Sequence, residues 1–410
     1  MAIDVAAPAR RVFPCVVFAL TFGLLLSDYM SRQVLSAVFP FLKQEWGLTD
    51  TQLGSLTSVV ALTVGVLAVP LSLVGDRWGR ARSVVLTAVV WSLATIGCAL
   101  AAGYGHLLAA RLLIGVGEAA YGSVGLAIVL AVFAARRRAA LTGAFMAGGS
   151  FGSVLGVALG GVLAAQFGWR WAFAAMGVLG LVLAGLYWAV IGERRLTAYK
   201  IEEEGSGQRR AKLSTLFSTP AVVLAYLGGG LQLFIAGSLF AWLPSYFNRG
   251  YSMAPDAAAK VAAVFILIMG VGMIVCGAVA DRADSQATAA IAFCVLSAAS
   301  LAAGFALEPG GAQLPLLAVG CFFAGGSTGP TGAMVARLTH ESIRATAFGT
   351  YTFFNNLLGL AAGPLVTGIL ADRLGLETAM RYVPLVSVAA IALLIAGRAA
   401  YPSSLARIAR

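Results

Sequence analysis

The chain has 410 residues, 60% of them hydrophobic and only 11% charged, with a formal net charge of +11; that charged share is less than half of what a soluble globular domain carries, so water is not its main solvent. A nucleic-acid partner would need the positive excess gathered on one face of a soluble module, and no such module is present in the sequence. A β-barrel is excluded as well: its strands would alternate polarity over about ten residues, whereas the apolar runs here are continuous and carry 49 glycines, which membrane helices use for close packing.

A helix needs about 20 apolar residues to cross a hydrocarbon core roughly 30 Å thick. Runs of that kind predict spans at 13–38, 51–74, 83–103, 107–132, 140–165, 171–191, 220–247, 258–280, 286–306, 313–336, 346–371 and 380–398. The predicted fold class is all-α and polytopic, with twelve transmembrane helices and both termini on one side. Arg10 and Arg11 precede the first run as in a signal peptide, but the run is too long and lacks a small-residue cleavage site, so it counts as a span. Of the 28 Lys and Arg, Arg32 and Arg111 fall inside spans; alternating the loops puts 20 of the others on the terminal side and 6 opposite. The positive-inside rule then places both termini in the cytoplasm, in a plasma membrane or bacterial inner membrane.

The one long polar connection, 192–219, lies at the midpoint and contains Glu202, Glu203 and Glu204 followed by GSGQRRAK. It predicts an N-terminal six-helix bundle at 1–191, a cytoplasmic linker at 192–219 and a C-terminal six-helix bundle at 220–410. Gly152, Gly156, Gly161 and Gly168 recur as Gly359, Gly363, Gly368 and Gly375, each 207 positions later, and Asp76 and Arg77 recur as Asp281 and Arg282. Such parallel repeats, with a site between them at mid-membrane, are a design of secondary transporters. The five cysteines, Cys15, Cys98, Cys276, Cys294 and Cys321, lie in or beside apolar runs without metal-knot spacing and read as small buried hydrophobes.

In chain order, span one contributes Asp28 and Arg32. The loop after span two reads GDRWGRAR, residues 75–82, and span four reads RLLIGVGEAAYG, residues 111–122, with Arg111 and Glu118 two helical turns apart on one face. Span five carries GGSFGSVLGVALGG, residues 148–161. Asp28, Arg32, Arg111 and Glu118 sum to zero charge, and intramembrane ionisable groups are functional by default. The second half supplies neutral candidates, Gln232 and Phe234 in span seven and Tyr351, Asn355 and Asn356 in span eleven; with Tyr121 they are the predicted cavity residues.

The loop GDRWGRAR has the spacing of the signature loop of the major facilitator superfamily. That resemblance implies that Asp76 and Arg77 latch the two halves at the cytoplasmic face, with Arg80 and Arg82 assisting and Asp281 and Arg282 as the second copy. SDYMSRQVLSAVFPFLKQEWGLTDTQLGSLTS, residues 27–58, together with VGEAAYGS, WRWAF and AWLPSYF, resembles the spinster-like branch. That branch has an Asp-Arg pair in span one and a glutamate in span four that couple proton movement to substrate. Arg32 and Glu118 match; Ser31 stands where the aspartate belongs, and Asp28, about one turn earlier, is the substitute. Glu118 and Asp28 are thus the expected proton-coupling groups, with Arg32 and Arg111 as substrate contacts or charge partners.

The expected function is proton-coupled secondary transport of an amphiphilic, lysophospholipid-like substrate by alternating access, with a small organic anion as the alternative. A membrane-embedded enzyme or a non-transporting receptor ranks below both. His106 and His340 stand near loops, and no nucleophile, metal or phosphate-loop constellation supports chemistry. No cofactor and no metal is expected; the expected partners are the solute, protons and membrane lipids, with the chain a monomer.

Overall fold

The structure, a computed structural model, describes residues 7–119, 121–133, 138–192, 196, 216–217, 219–340 and 343–408, with side chains except at 7–12, 72–77, 123, 138–140, 344–345 and 405–408. The linker 192–219 therefore lies almost wholly outside the described residues.

Hydropathy dictates long helices, and the first half consists of α1 (Ala7–Trp46), α2 (Asp50–Trp78), α3 (Arg80–Ala99), α4 (Tyr104–Glu118), α5 (Tyr121–Val132), α6 (Arg138–Phe167) and α7 (Trp169–Val190). The second half has α8 (Pro220–Gly250), α9 (Pro255–Asp281), α10 (Gln286–Ala306), α11 (Gln313–Ala324), α12 (Thr328–Arg337) and α13 (Arg344–Phe354). A π-helical turn (Asn355–Ala361) follows, then α14 (Ala362–Leu374), α15 (Leu376–Tyr382) and α16 (Val386–Ile408). Boundaries follow local chemistry. Thr49 caps α2 in a reciprocal box with Gln52, and Pro220 and Pro255 open α8 and α9, where a missing N–H costs nothing.

Among the described residues, ten helical stretches are long and apolar enough to cross a membrane, which makes the protein an integral, multi-pass one. The fourth and tenth predicted spans are absent from that set. The fourth is described as α4 and α5 on either side of Ala120, which lies outside the described residues, and the tenth divides into α11 and α12 across Gly325–Ser327. Gly-Gly-Ser accounts for this division through weak helix propensity.

Hydrocarbon solvent gives helices no hydrophobic reason to associate, so their contacts rely on close approach at small residues. A Cβ on Gly152 would stand 2.6 Å from the carbonyl oxygen of Leu26, and one on Gly156 2.7 Å from that of Met30, which is how α6 lies against α1. The repeat is visible in these contacts: Gly359 and Gly363 meet α8 as Gly152 and Gly156 meet α1. Gly168 and Gly375 share one left-handed conformation, φ 92°, ψ 152° and φ 80°, ψ 152°, each opening the helix after it.

The halves touch along two seams. Gly161 of α6 lies on Ala259 of α9, while Gly54 and Gly65 of α2 lie on Pro364 and Asn356. At the end opposite the termini, called here the far end, the Ser58 hydroxyl donates to the Ala361 carbonyl, and the two Asp372 carboxylate oxygens accept the backbone N–H groups of Asp50 and Thr51 at 2.7 and 2.8 Å. Buried Asp50 accepts both Arg249 nitrogens, at 2.8 and 2.7 Å, and Lys43 Nζ at 2.8 Å. The far end is therefore closed across the halves. At the basic end, which carries the termini, Asp76 and Arg77 fall outside the described side chains, and Asp281 and Arg282 are exposed, forming no ion pair among the described residues. Cys15 is exposed rather than buried, because α1 turns that position outward; the other four cysteines are buried, and among the described residues no disulfide is formed.

Candidate functional site

Asp28 and Arg32 are one turn apart on α1 and share a face; Glu118 reaches them from the last residue of α4. Arg32 Nε stands 3.5 Å from Glu118 Oε2, with the two side chains 16% and 3% exposed. Asp28, also buried, lies close enough for its carboxyl and that of Glu118 to act on each other's charge. Two carboxyls beside one guanidinium form a cluster whose net charge changes by one when a single proton is gained or lost. Asp28 Oδ1, Arg32 Nη2 and Glu118 Oε1 are buried without a hydrogen-bond partner among the described residues, while the likewise unpartnered Ser27 hydroxyl faces Gly180 of α7. Buried polar atoms are normally satisfied, and several unsatisfied ones in one place mark a site built to receive something.

Arg111 does not join this cluster by contact. Fully buried, it donates from Nε to the Leu56 carbonyl at 3.2 Å, from Nη1 to Ser31 at 3.2 Å and from Nη2 to Arg32 at 3.1 Å. Its planar fork spans three backbone oxygens on α1 and α2, a task a lysine cannot copy. It thereby holds the stretch of α1 that carries Arg32.

The remaining candidates separate into those at the seam and those inside a half. Asn356 is at the seam: a Cβ on Gly65 would be 3.0 Å from its own Cβ. Its Nδ2 donates to the Thr352 carbonyl at 2.9 Å, while Oδ1, like Oδ1 of Asn355, has no hydrogen-bond partner among the described residues. Both asparagines open the π-helical turn, a local widening frequent at functional sites. Tyr351 is hydrogen-bonded to Thr331 Oγ1 at 2.6 Å and to the Thr328 carbonyl at 3.2 Å, so it closes onto the first turn of α12, just past the interruption. Gln232 points away from the first half, accepting from Ser387 of α16 at 2.9 Å. Tyr121 donates to the Thr21 carbonyl at 2.5 Å and packs edge-on against Trp91, with ring centres 5.0 Å apart, inside the first half. Phe234 is buried in the core.

Sequence reasoning missed Ser27, Ser31, Thr331 and the far-end group of Lys43, Asp50, Arg249 and Asp372. The serines and threonine are common residues in an apolar run and carry no signal. Asp50 and Asp372 stood at predicted helix boundaries, where charges are expected. Among the described residues, no group of three or more His, Cys, Asp or Glu is arranged to hold a metal ion.

Residues 21–364 match the Major Facilitator Superfamily. The chain is 24% identical over 382 residues to the hexuronate transporter of Bacillus subtilis (strain 168), covering 90% of each. It is 29% identical over 231 residues to protein spinster homolog 1 of Homo sapiens, covering 55% of this chain and 44% of that one. Its fold matches the crystal structure of a bacterial homolog to the human lysosomal transporter Spinster, in an inward-facing and occupied conformation, with a TM-score of 0.85 at 18% identity over 96% and 98% of the two chains.

Proposed function

Because the chain belongs to the Major Facilitator Superfamily, we propose that it is a proton-coupled secondary transporter of an organic anion, in which two six-helix bundles, 1–191 and 220–410, alternate access to the site between them. Counting the fourth and tenth segments as crossings gives twelve, and the basic end then faces the cytoplasm by the positive-inside rule. In this reading Asp76, Arg77 and Arg80, with Asp281 and Arg282, latch that end when the far end opens.

The observation that carries the proposal is the pairing of Arg32 with Glu118 at 3.5 Å beside Asp28, each with an unpartnered buried atom. Arg32 is the cation open to a solute, since Arg111 is committed to carbonyls. An anion approaching Arg32 competes with Glu118 for it, and a carboxyl deprived of its guanidinium holds a proton more tightly. Loading of solute and loading of proton are thereby coupled through one side chain. Arg111 acts as a positioning residue that fixes α1 under Arg32.

An amphiphilic, lysophospholipid-like anion is the first substrate class, the one that the likeness to the spinster-like branch favours. A small carboxylate is the second, favoured by likeness over nearly the whole chain to a protein named as a hexuronate transporter. Proteoliposome assays with labelled lysophospholipid and labelled hexuronate separate the two. For the coupling itself, Glu118→Gln is expected to abolish uptake driven by a proton gradient while solute counterflow continues. Gradient-driven uptake at the parental rate in that variant would remove Glu118 as the proton carrier.

A further inference from the structure

Three helices of the first half meet behind the charged cluster. Gly177 of α7 rests on α3, where an added Cβ would stand 2.8 Å from the Ser92 carbonyl oxygen, and Leu183 of α7 rests on α1 beside Gly23. Between these contacts lies Gly180. A Cβ there would collide with the Ser92 hydroxyl and stand 3.1 Å from that of Ser27. Both serines are fully buried, and neither hydroxyl has a hydrogen-bond partner among the described residues.

A hydroxyl on a helix has a ready acceptor in the carbonyl one turn earlier. Thr21, Thr95 and Ser153 of the same half use it, whereas Ser27 and Ser92 aim at the surface of Gly180. The second copy of the repeat shows the satisfied alternative. Ser297, as far beyond Ser92 as Asp281 is beyond Asp76, donates to the Gly320 carbonyl at 3.1 Å. Ser387, 207 positions beyond Gly180, donates to Gln232 at 2.9 Å. At this place, then, the hydroxyls are bonded within the protein in the copy that holds no carboxyls and lack such bonds in the copy that holds them.

Two hydroxyls gathered about one point are within reach of one shared water, whose bonds run about 2.7–2.8 Å each. Buried water is the usual partner of polar groups that a protein leaves to themselves. Asp28 follows Ser27 on α1, and its Oδ1 is likewise unpartnered among the described residues. Its carboxyl is near enough to Tyr121 for the two groups to act on each other's charge, and Tyr121 packs on Trp91, the neighbour of Ser92. Asp28 thus borders the same three-helix junction.

We propose that the junction of Ser27, Ser92 and Gly180 binds a water that hydrates Asp28 from inside the first half, and that protons reach the pair of Asp28 and Glu118 through it. The route rests on the proton coupling proposed above; the water site stands without it. A solute seated on Arg32 displaces water from the seam, so a path behind the carboxyls keeps them supplied while the front is filled. In each transfer a water or hydroxyl accepts one proton as it releases another, and no charge stays on the serines.

X-ray radiolytic labelling of the full chain, read by mass spectrometry, tests the water site, because radicals formed from a bound water oxidise the side chains beside it even where bulk solvent is excluded. Two tryptophans make the comparison. Both are fully buried, but Trp91 Nε1 has no partner among the described residues, whereas Trp242 donates to the Pro364 carbonyl at 3.0 Å. Trp91 is expected to be oxidised and Trp242 spared. In Gly180→Ala, whose methyl takes the room, Trp91 is expected to drop to the level of Trp242; should that variant fail to fold, Ser27→Ala with Ser92→Ala removes both partners and is read the same way. Equal labelling of the two tryptophans in the parent overturns the water site. For the route, Ser92→Ala is expected to slow gradient-driven uptake about tenfold with counterflow unchanged, and Ser297→Ala to leave both at the parental rate. Unchanged uptake in Ser92→Ala, or an equal fall in both rates, overturns the route. Glu118→Gln is expected to keep the labelling of Trp91, so failure of the coupling mechanism leaves the water site intact.

Discussion

The two halves of the molecule share a helical frame and differ in what it holds. The positions 207 later than Asp28, Arg32, Arg111 and Glu118 are Ile235, Leu239, Ala318 and Gly325, all uncharged. Where the first half ends α4 on a glutamate, the second ends α11 at Ala324 and continues into Gly-Gly-Ser, around which Thr328, Thr331 and Tyr351 bond to one another. The glycine contacts that set helix spacing are present in both copies, because a frame that rocks symmetrically needs the same close approaches on each side. Charge is present in one copy only. A buried ion group costs free energy wherever it stands, a cost the second copy avoids; in the mechanism proposed above, one cluster couples the whole and the other half meets the solute with neutral groups.

The strongest way to break this comparison is Arg32→Leu. It leaves two buried carboxyls without their cation, so both counterflow and gradient-driven uptake are expected to fall by about 100-fold or more, a loss of roughly 3 kcal/mol in keeping with breaking a buried pair. Arg111→Lys is next: a point charge cannot serve three carbonyls, and the expected destabilisation of about 3 kcal/mol is read as a lowered melting temperature in detergent. A variant that melts like the parent but has lost solute affinity would instead return Arg111 to the list of ligand contacts. Arg249→Gln removes one cross-half contact at the far end and should shift the population toward far-end opening by about tenfold, or 1.4 kcal/mol, measured as spin-label distances across that end. Asn356→Ala sharpens the contrast with the smallest change, a several-fold shift in apparent solute affinity of about 1 kcal/mol, with the number of protons moved per solute unaltered. A changed proton stoichiometry there would mean that both halves take part in coupling.

The helices were legible because hydrocarbon imposes a length and a polarity that any sequence must display, and the repeated glycines were legible because only their position matters. The interruption of the tenth span at Gly325–Ser327 was not, since glycines recur throughout the other spans without breaking them. Arg111, read as a substrate contact or a charge partner, shows what the sequence leaves open: its guanidinium donates to three backbone carbonyls. Its seven-residue spacing from Glu118 places both on one helix face, but hydropathy does not separate a guanidinium aimed at a cavity from one aimed at neighbouring carbonyls. Gln232 and Tyr121 fall to the same ambiguity, because the interior of a half tolerates a polar atom as readily as the seam does, given one partner. Glu118, Arg32 and Asp28 were found together because buried charge in an apolar run is costly and seldom accidental.

The far end is provided for unequally. Asp50 is shared between Arg249, which departs with the second half, and Lys43, which stays beside it. The opening turn of α2 is served from two sides: Thr49 and Gln52 satisfy each other's N–H groups from within the chain, whereas the N–H groups of Asp50 and Thr51 depend on Asp372 from across the divide. Parting of this end would leave the Asp50 carboxylate its lysine but strip two amides of their acceptor, so the free energy that keeps the door shut resides in those amides more than in the ion pair.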